Sequence, residues 1–257
     1  MAVVQAASGL EPDANRARLA ELTPSGHDLV VYPEAFARDF GRPGSPVGEF
    51  AETAKGPFAA ELARVAGERD TTIVAGMFER SDDPERPFNT LALARPGAAT
   101  EPAYRKIHLY DSFGYQESRA LQGGPLTPKV VAIGGAPVGL MTCYDLRFPE
   151  LARALAADGA EAIVVPAAWV PGERKLDHWR TLVRARAIEN TVYMIAAGQA
   201  APRYCGHSMI VDPLGDVVAE GGDGEDVLTA VLERSRVVEA RGLNPSLANR
   251  RLYPPLP

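Results

Sequence analysis

Three residues of this chain carry side chains that could together break a carbon–nitrogen bond: Glu34, Lys106 and Cys143. Each stands at the end of an apolar run. Glu34 follows Leu29-Val30-Val31-Tyr32, Lys106 follows Ala103-Tyr104-Arg105, and Cys143 follows Val138-Gly139-Leu140-Met141-Thr142. Strand ends are where a rigid scaffold holds reactive groups. A carboxylate can take a thiol proton as general base and return it to a leaving amine as general acid. An ammonium lowers the thiol pKa and stabilises the oxyanion of a tetrahedral intermediate. The thiolate attacks a carbonyl carbon and forms a thioester. Each residue also has a plainer reading, since Glu and Lys are mostly solvated and free Cys is among the most buried types. Complementary groups at three strand ends favour a site. So do Tyr144, Asp145 and Arg147, crowded beside the cysteine where a core position would not want them.

The stretch Gly139–Glu150 organises the rest. Val138 to Met141 reads as a buried strand, and Pro149 suits the first turn of a helix that continues through Glu150–Ala157. A cysteine between them has its sulfur near a helix N-terminus, whose unpaired N–H groups lower thiol pKa and can hold an oxyanion. Further strands are expected at 2–7, 28–32, 71–78, 88–94, 103–107, 162–165, 191–197, 207–212, 217–219 and 227–231, with a hairpin of 130–133 and 136–141 around Gly134-Gly135. Helices are expected at 12–22, 58–69 and 176–190, the last carrying Trp179, Leu182, Val183 and Ile188. The polar, weakly periodic stretch 106–124 reads as a functional loop, and 236–257 as an extended tail. Strand pairs mixed with helices, without repeat or linker, predict one α/β domain over 1–257: two sheets with helices on their outer faces, a four-layer α-β-β-α sandwich.

Composition narrows the function classes. Among 257 residues, 46% are hydrophobic and 23% charged, which is ordinary globular content. A net charge of −6 without a basic block argues against nucleic acid. Two cysteines make no disulfide framework, the start lacks a basic leader, and no apolar run is long enough for a bilayer; a soluble cytoplasmic protein is expected. The four histidines are scattered and no Cys/His pair has ligand spacing, so neither metal nor cofactor is called for.

Three segments resemble the nitrilase superfamily of carbon–nitrogen hydrolases: Leu29-Val30-Val31-Tyr32-Pro33-Glu34, Tyr104-Arg105-Lys106-Ile107-His108-Leu109-Tyr110-Asp111, and Cys143-Tyr144-Asp145-Leu146-Arg147-Phe148-Pro149-Glu150. Their order and separations match the family, and the likeness covers nearly the whole chain. It implies a Glu-Lys-Cys triad with Glu34 as base, Lys106 as oxyanion stabiliser and Cys143 as nucleophile. It implies the backbone N–H of Tyr144 as a second oxyanion donor. Gln116-Glu117-Ser118 resembles the site of the family's second glutamate, which implies that Glu117 positions the amide and Lys106. A second carboxylate near Lys106 would also keep it charged.

The cysteine segment, with Gly206-His207-Ser208-Met209 and Val211-Asp212-Pro213, is similar to the Nit-type amidases, which include omega-amidases and deaminated-glutathione amidases. True nitrilases usually carry Trp-Glu after the cysteine where this chain has Tyr144-Asp145, which disfavours nitrile hydrolysis. The implied reaction is hydrolysis of a small linear amide, best matched by the terminal amide of a 2-oxo acid or a deaminated peptide. The rivals are an N-carbamoyl amino acid hydrolase and a catalytically silent binding relative. Ser112-Phe113-Gly114-Tyr115 replaces a longer loop of many relatives beside the site. Trp169 and Arg174 are expected on a pocket-lining loop, where a cation would suit a carboxylate-bearing substrate. Arg147 reads as the partner of a neighbouring acid, Cys205 as structural, and His108 and His207 as hydrogen-bonded scaffold. The resemblance also implies a homodimer or higher homo-oligomer, paired through the helices beside the nucleophile turn.

Overall fold

The structure, a computed structural model, describes residues 1–252. Its elements are numbered in chain order. One sheet runs, edge to edge, through β14 (Asp226–Thr229), β1 (Ala2–Gln5), β2 (Leu29–Val31), β3 (Thr72–Glu79), β4 (Phe88–Ala94) and β5 (Glu101–Arg105). The other runs through β13 (Val217–Glu220), β12 (Met209–Val211), β11 (Tyr193–Gly198), β10 (Ala162–Ala167), β9 (Ala136–Leu140) and β8 (Val130–Ile133). Each has three parallel central strands, β1-β2-β3 and β9-β10-β11, flanked by antiparallel ones.

Burial of both strand faces explains why these central strands are continuous apolar runs rather than alternating ones. Val3, Leu29, Val31, Val74, Leu91 and Leu93 face the second sheet, packing in one cluster with Leu140, Val164 and Ile195. Their neighbours Ala2, Val4, Val30, Ile73 and Ala75 face outward against α1 (Pro12–Leu22) and α2 (Pro57–Arg69). The spacing of Phe58, Leu62, Val65 and Ala66 on α2 supplies its apolar stripe. On the far side, α3 (Pro149–Ala157) and α4 (Lys175–Asn190) cover the second sheet through Leu151, Leu155, Trp179 and Val183. The order of layers is therefore α-β-β-α. Prolines 12, 57 and 149 each open a helix, where their missing N–H costs nothing.

Several expectations shift. The segment from 236 is not simply extended: α5 occupies Arg234–Leu243, and only turns follow to Leu252. Its apolar stripe is narrow, Val237 and Ala240, and its arginines bind outward partners, Arg236 pairing with Asp212 at 2.6 Å. The rest of that expected tail, 253–257, lies outside the described residues. On α4 the inward face is Trp179, Val183, Arg186, Ala187 and Asn190, whereas Ile188 is exposed. Arg186 displaces the expected apolar residues because its guanidinium donates twice to the Leu146 carbonyl, at 3.1 and 2.9 Å. The loop 106–124 holds a small hairpin, β6 (Asp111–Ser112) and β7 (Tyr115–Gln116). Phe113 and Gly114 both have positive φ, 54° and 80°, the backbone of a tight two-residue hairpin turn.

Glu34, Lys106 and Cys143 all lie just past the C-terminal ends of their strands, β2, β5 and β9. At the opposite end a cavity of about 710 Å³ opens between the sheets, bordered by Asp28, Leu29, Ile133, Ala162 and Tyr193.

Gly76 on β3 lets the Glu34 segment lie directly on the sheet. Its N–H donates to the Pro33 carbonyl at 3.1 Å and its carbonyl accepts from Ala37 at 3.0 Å. A Cβ there would sit 2.6 Å from the Glu34 Cα and closer still to the Ala35 nitrogen. Gly76→Ala is expected to cost about 2 kcal/mol in urea unfolding through overpacking, and to displace Glu34. Unchanged stability would show that the segment can rise off the strand.

Candidate active site

Lys106, Glu34, Glu117 and Cys143 converge between the C-terminal ends of the two sheets. Lys106 is 2% exposed, Glu34 1% and Glu117 2%, so the ammonium and both carboxylates are withdrawn from water. Such burial is tolerated only with near-complete pairing. The Lys106 ammonium donates to Glu34 Oε1 at 2.9 Å and to both oxygens of Glu117 at 3.1 and 2.9 Å. The Glu34 carboxylate also accepts from Asn89 Nδ2 at 2.7 Å and from the backbone N–H of Ala168 at 2.7 Å. Glu117 accepts from the N–H of Tyr110 at 2.6 Å. The backbone of Glu34 is fixed as well: its carbonyl accepts from Gln199 Nε2 at 2.8 Å, and Ser8 holds the Gln199 oxygen at 2.9 Å.

Cys143 is buried and sits at φ 45°, in the left-handed region. That backbone costs an L-residue on the order of 1–2 kcal/mol. It opens a 3-10 turn over Cys143–Arg147, and α3 starts only at Pro149. The sulfur is therefore next to a short turn rather than at the α-helix N-terminus expected from the sequence. The N–H of Tyr144, in the first turn, has no partner among the described residues, as the first donors of any helical turn lack one within it.

Asp145 locks this turn to the lysine segment. It is fully buried. Its carboxylate accepts from Thr142 N at 2.9 Å, Tyr104 Oη at 2.7 Å and His108 N at 3.0 Å, and binds His108 Nδ1 at 2.7 Å. Tyr104 and His108 flank Lys106, so one carboxylate sets the distance between the Cys143 turn and the ammonium. His108 also stacks on Phe148, with centroids 3.8 Å apart. Among the flanking polar groups noted in the sequence, Asp145 is the one whose positional importance was not foreseen. Asn89, Gln199 and Ser8 carried no signal at all, because a lone amide or hydroxyl in a strand or loop looks like any other.

Charge balance runs opposite to the expected thiol activation. Burial, then the Glu34 carboxylate, push the Cys143 thiol well above its ordinary range, and Lys106 only partly offsets them. Burial works against the Lys106 charge, but Glu117 and Glu34 outweigh it and hold the ammonium above its ordinary range. Burial raises Glu117 against the pull of Lys106. The raised pKa favours the neutral thiol, which lies beside the Glu34 carboxylate. The arrangement can therefore move the proton to a carboxylate as sulfur attacks, with an ammonium and a backbone N–H available to a developing oxyanion.

Around the mouth, Tyr110 stands edge-on to Tyr144, with centroids 5.0 Å apart, and Trp169 is buried with its Nε1 donating to the Lys175 carbonyl at 2.9 Å. Arg174 does not line this pocket. Its side chain is 75% exposed beside Glu173, because it takes a left-handed φ of 58° where α4 begins. The next residue turns inward instead: the Lys175 ammonium donates to Tyr110 Oη at 2.9 Å and lies 4.2 Å from the Phe113 ring centroid. Arg147 is also placed differently from expectation. It has no acidic partner among the described residues, lies 4.9 Å over Trp169, and its buried Nε has no hydrogen-bond partner. His207 bonds Asp223 Oδ1 at 2.9 Å, and Cys205 is half-buried.

The carbon-nitrogen hydrolase family model matches residues 1–242. A protein of Mycobacterium tuberculosis named as a hydrolase is 40% identical over 94% of this chain and 91% of its own. The deaminated glutathione amidase of Escherichia coli O157:H7 is 40% identical over 92% of this chain and 90% of its own. The crystal structure of XC1258 from Xanthomonas campestris, a CN-hydrolase superfamily protein, superposes with a TM-score of 0.87 at 28% identity, covering 98% of this chain and 97% of that one. The chain belongs to the carbon-nitrogen hydrolase family.

Removing the Lys106 charge tests the buried cluster. Lys106→Met leaves two carboxylates facing each other in a dry site, a loss of about 3–5 kcal/mol near neutral pH. Without the cation their protonated forms are favoured in the folded state, so the deficit is full above their folded pKa values. It narrows as pH falls through them. Thermal unfolding of both proteins between pH 8 and pH 4.5 checks this; a deficit that does not change with pH would show that the carboxylates are not its source.

Proposed function

We propose that this protein is a thiol amidase that hydrolyses a small linear amide bearing a carboxylate on its acyl portion. The observation that carries the reading is the neutral Cys143 thiol beside a Glu34 carboxylate whose other contacts are taken by Lys106, Asn89 and Ala168. Glu34 accepts the thiol proton as sulfur attacks the amide carbonyl. The oxyanion is held by the Lys106 ammonium and the Tyr144 N–H. Glu34 gives its proton to the departing nitrogen, releasing ammonia or an amine and leaving a thioester on Cys143. Water then attacks the thioester, losing a proton to Glu34, and the sulfur leaves and recovers that proton as the acid departs. Glu117 positions Lys106 throughout.

The substrate class rests on Lys175 and Arg147, two cations without a carboxylate partner among the described residues, standing over aromatic rings at the mouth. An anion there gains charge-assisted hydrogen bonds. The amide of a 2-oxo acid, or a deaminated peptide such as the substrate named for the Escherichia coli relative, has both the amide and the carboxylate. An N-carbamoyl amino acid shares them and is the alternative. Two free cysteines suit a reducing cytoplasm, and pairing of two copies along α3 and α4 is the assembly we expect.

Release of ammonia or amine from 2-oxoglutaramate, deaminated glutathione, glutamine, a neutral aliphatic amide and an N-carbamoyl amino acid tests the reading, with Cys143→Ala as control. Turnover of the 2-oxo amides, absent in the control, is the expected result. Carbon dioxide release from the carbamoyl compound alone would change the substrate class, and no turnover of any would remove the enzyme reading. Lys175→Met is expected to lower kcat/KM for the carboxylate-bearing amide about tenfold or more, and to leave a neutral amide within about twofold. Equal losses for both would place the carboxylate elsewhere.

A further inference from the structure

Building on that reading, we propose that Asn89 is a positioning residue that keeps a donor on the two carboxylates when Lys106 turns a proton toward the oxyanion. An ammonium has three N–H donors. In the resting site all are engaged, one on Glu34 and two on Glu117. Stabilising an oxyanion requires that one be withdrawn, which would leave a buried carboxylate oxygen short of a donor at the moment charge develops.

Asn89 stands where that shortage would fall. It is 1% exposed and lies on the inter-sheet face of β4, one step beyond Leu91 and Leu93 on the same face. Its Nδ2 reaches Glu34 Oε1 at 2.7 Å and Glu117 Oε1 at 3.5 Å, two of the three oxygens that Lys106 binds. Its backbone carbonyl accepts from the Lys106 N–H at 2.8 Å, so it holds the lysine's main chain too. The two carboxylate acceptors define which end of the amide is the donor. Its Oδ1, by contrast, is buried without a partner among the described residues. An unpaired buried oxygen is a cost that a residue kept only for folding would avoid. The charged and titratable groups facing this cluster are Lys106, Glu34, Glu117, Cys143 and Tyr115; Glu79 and Arg105 pair with each other, and Thr90, next to Asn89, turns to Glu79 instead.

The test compares wild type, Asn89→Leu and Asn89→Ser for steady-state turnover of the preferred amide. It also follows iodoacetamide alkylation of Cys143 by peptide mass, both across pH. Asn89→Leu is expected to lower kcat about tenfold or more with KM within about twofold, because the missing donor matters most as the oxyanion forms. The acid limb of both profiles should move up by about one pH unit, since the ionised carboxylate pair has lost a charge-assisted donor. Asn89→Ser, which cannot clash, should move both in the same direction and covers the case of a Leu variant that does not fold. Equal kcat and unmoved limbs in a folded variant would overturn the proposal, as would a change confined to KM or to melting temperature. If wild type turns over no amide, the reaction proposed above fails, and alkylation alone then decides whether Asn89 holds the carboxylates.

Discussion

One buried ammonium shared between two carboxylates is the constraint on which the other features depend. Lys106 brings one positive charge to a dry region already holding Glu34 and Glu117, and the cluster survives only because every oxygen and proton has a partner. The backbone N–H groups of Ala168 and Tyr110, and the amide of Asn89, exist in the site as supplements to a single insufficient cation. The same shortage bears on the thiol: burial and the Glu34 carboxylate disfavour a third negative charge and hold Cys143 above its ordinary range. In the reaction proposed above, ionisation of the thiol coincides with its attack, and an idle thiolate open to oxidation is avoided.

Precision in that cluster comes from contacts made across the sheets rather than within one. Glu34 belongs to the first sheet and Ala168 follows β10 of the second, yet one hydrogen bond joins them. Asp145 after β9 grips Tyr104 and His108 at the end of β5 in the same way. Arg186 ties the outer helix layer to the Leu146 carbonyl in the nucleophile turn. Both sheets thus send groups into the site, the helix layer over the second sheet braces its turn, and sliding one sheet against the other would misplace these contacts together.

The sequence made the framework legible because burial on both faces leaves long apolar runs, and because Gly and Pro punctuate them. The helices at 12–22 and 176–190 and the hairpin around Gly134-Gly135 lie within a residue of where periodicity puts them. Glu34, Lys106 and Cys143 stood out as ionisable groups at the ends of such runs, and Glu117 only through the resemblance of Gln116-Glu117-Ser118 to the family. Less visible were features set by three-dimensional balance. The direction of the thiol shift depends on how two carboxylates and one ammonium sum after burial, which spacing does not reveal. Arg174 and Lys175 are neighbours in sequence, and only the left-handed backbone at Arg174 decides that the second, not the first, reaches the aromatic mouth. Asn89 is invisible for a simpler reason: a single amide in a strand has no pattern to read.

The left-handed backbone at Cys143 also limits what this scaffold could become. A β-branched side chain is strained at positive φ, as it is at Thr191 with φ 49°, so threonine would add strain to this turn. Serine fits sterically, but an alcohol holds its proton far more tightly than a thiol, and the acceptor here is a carboxylate rather than an imidazole. With Glu34 as the proposed base, this turn favours sulfur over either alcohol. Diversification is left to the rim, where the Phe113-Gly114 hairpin tip and the start of α4 can be rebuilt without disturbing a single buried charge.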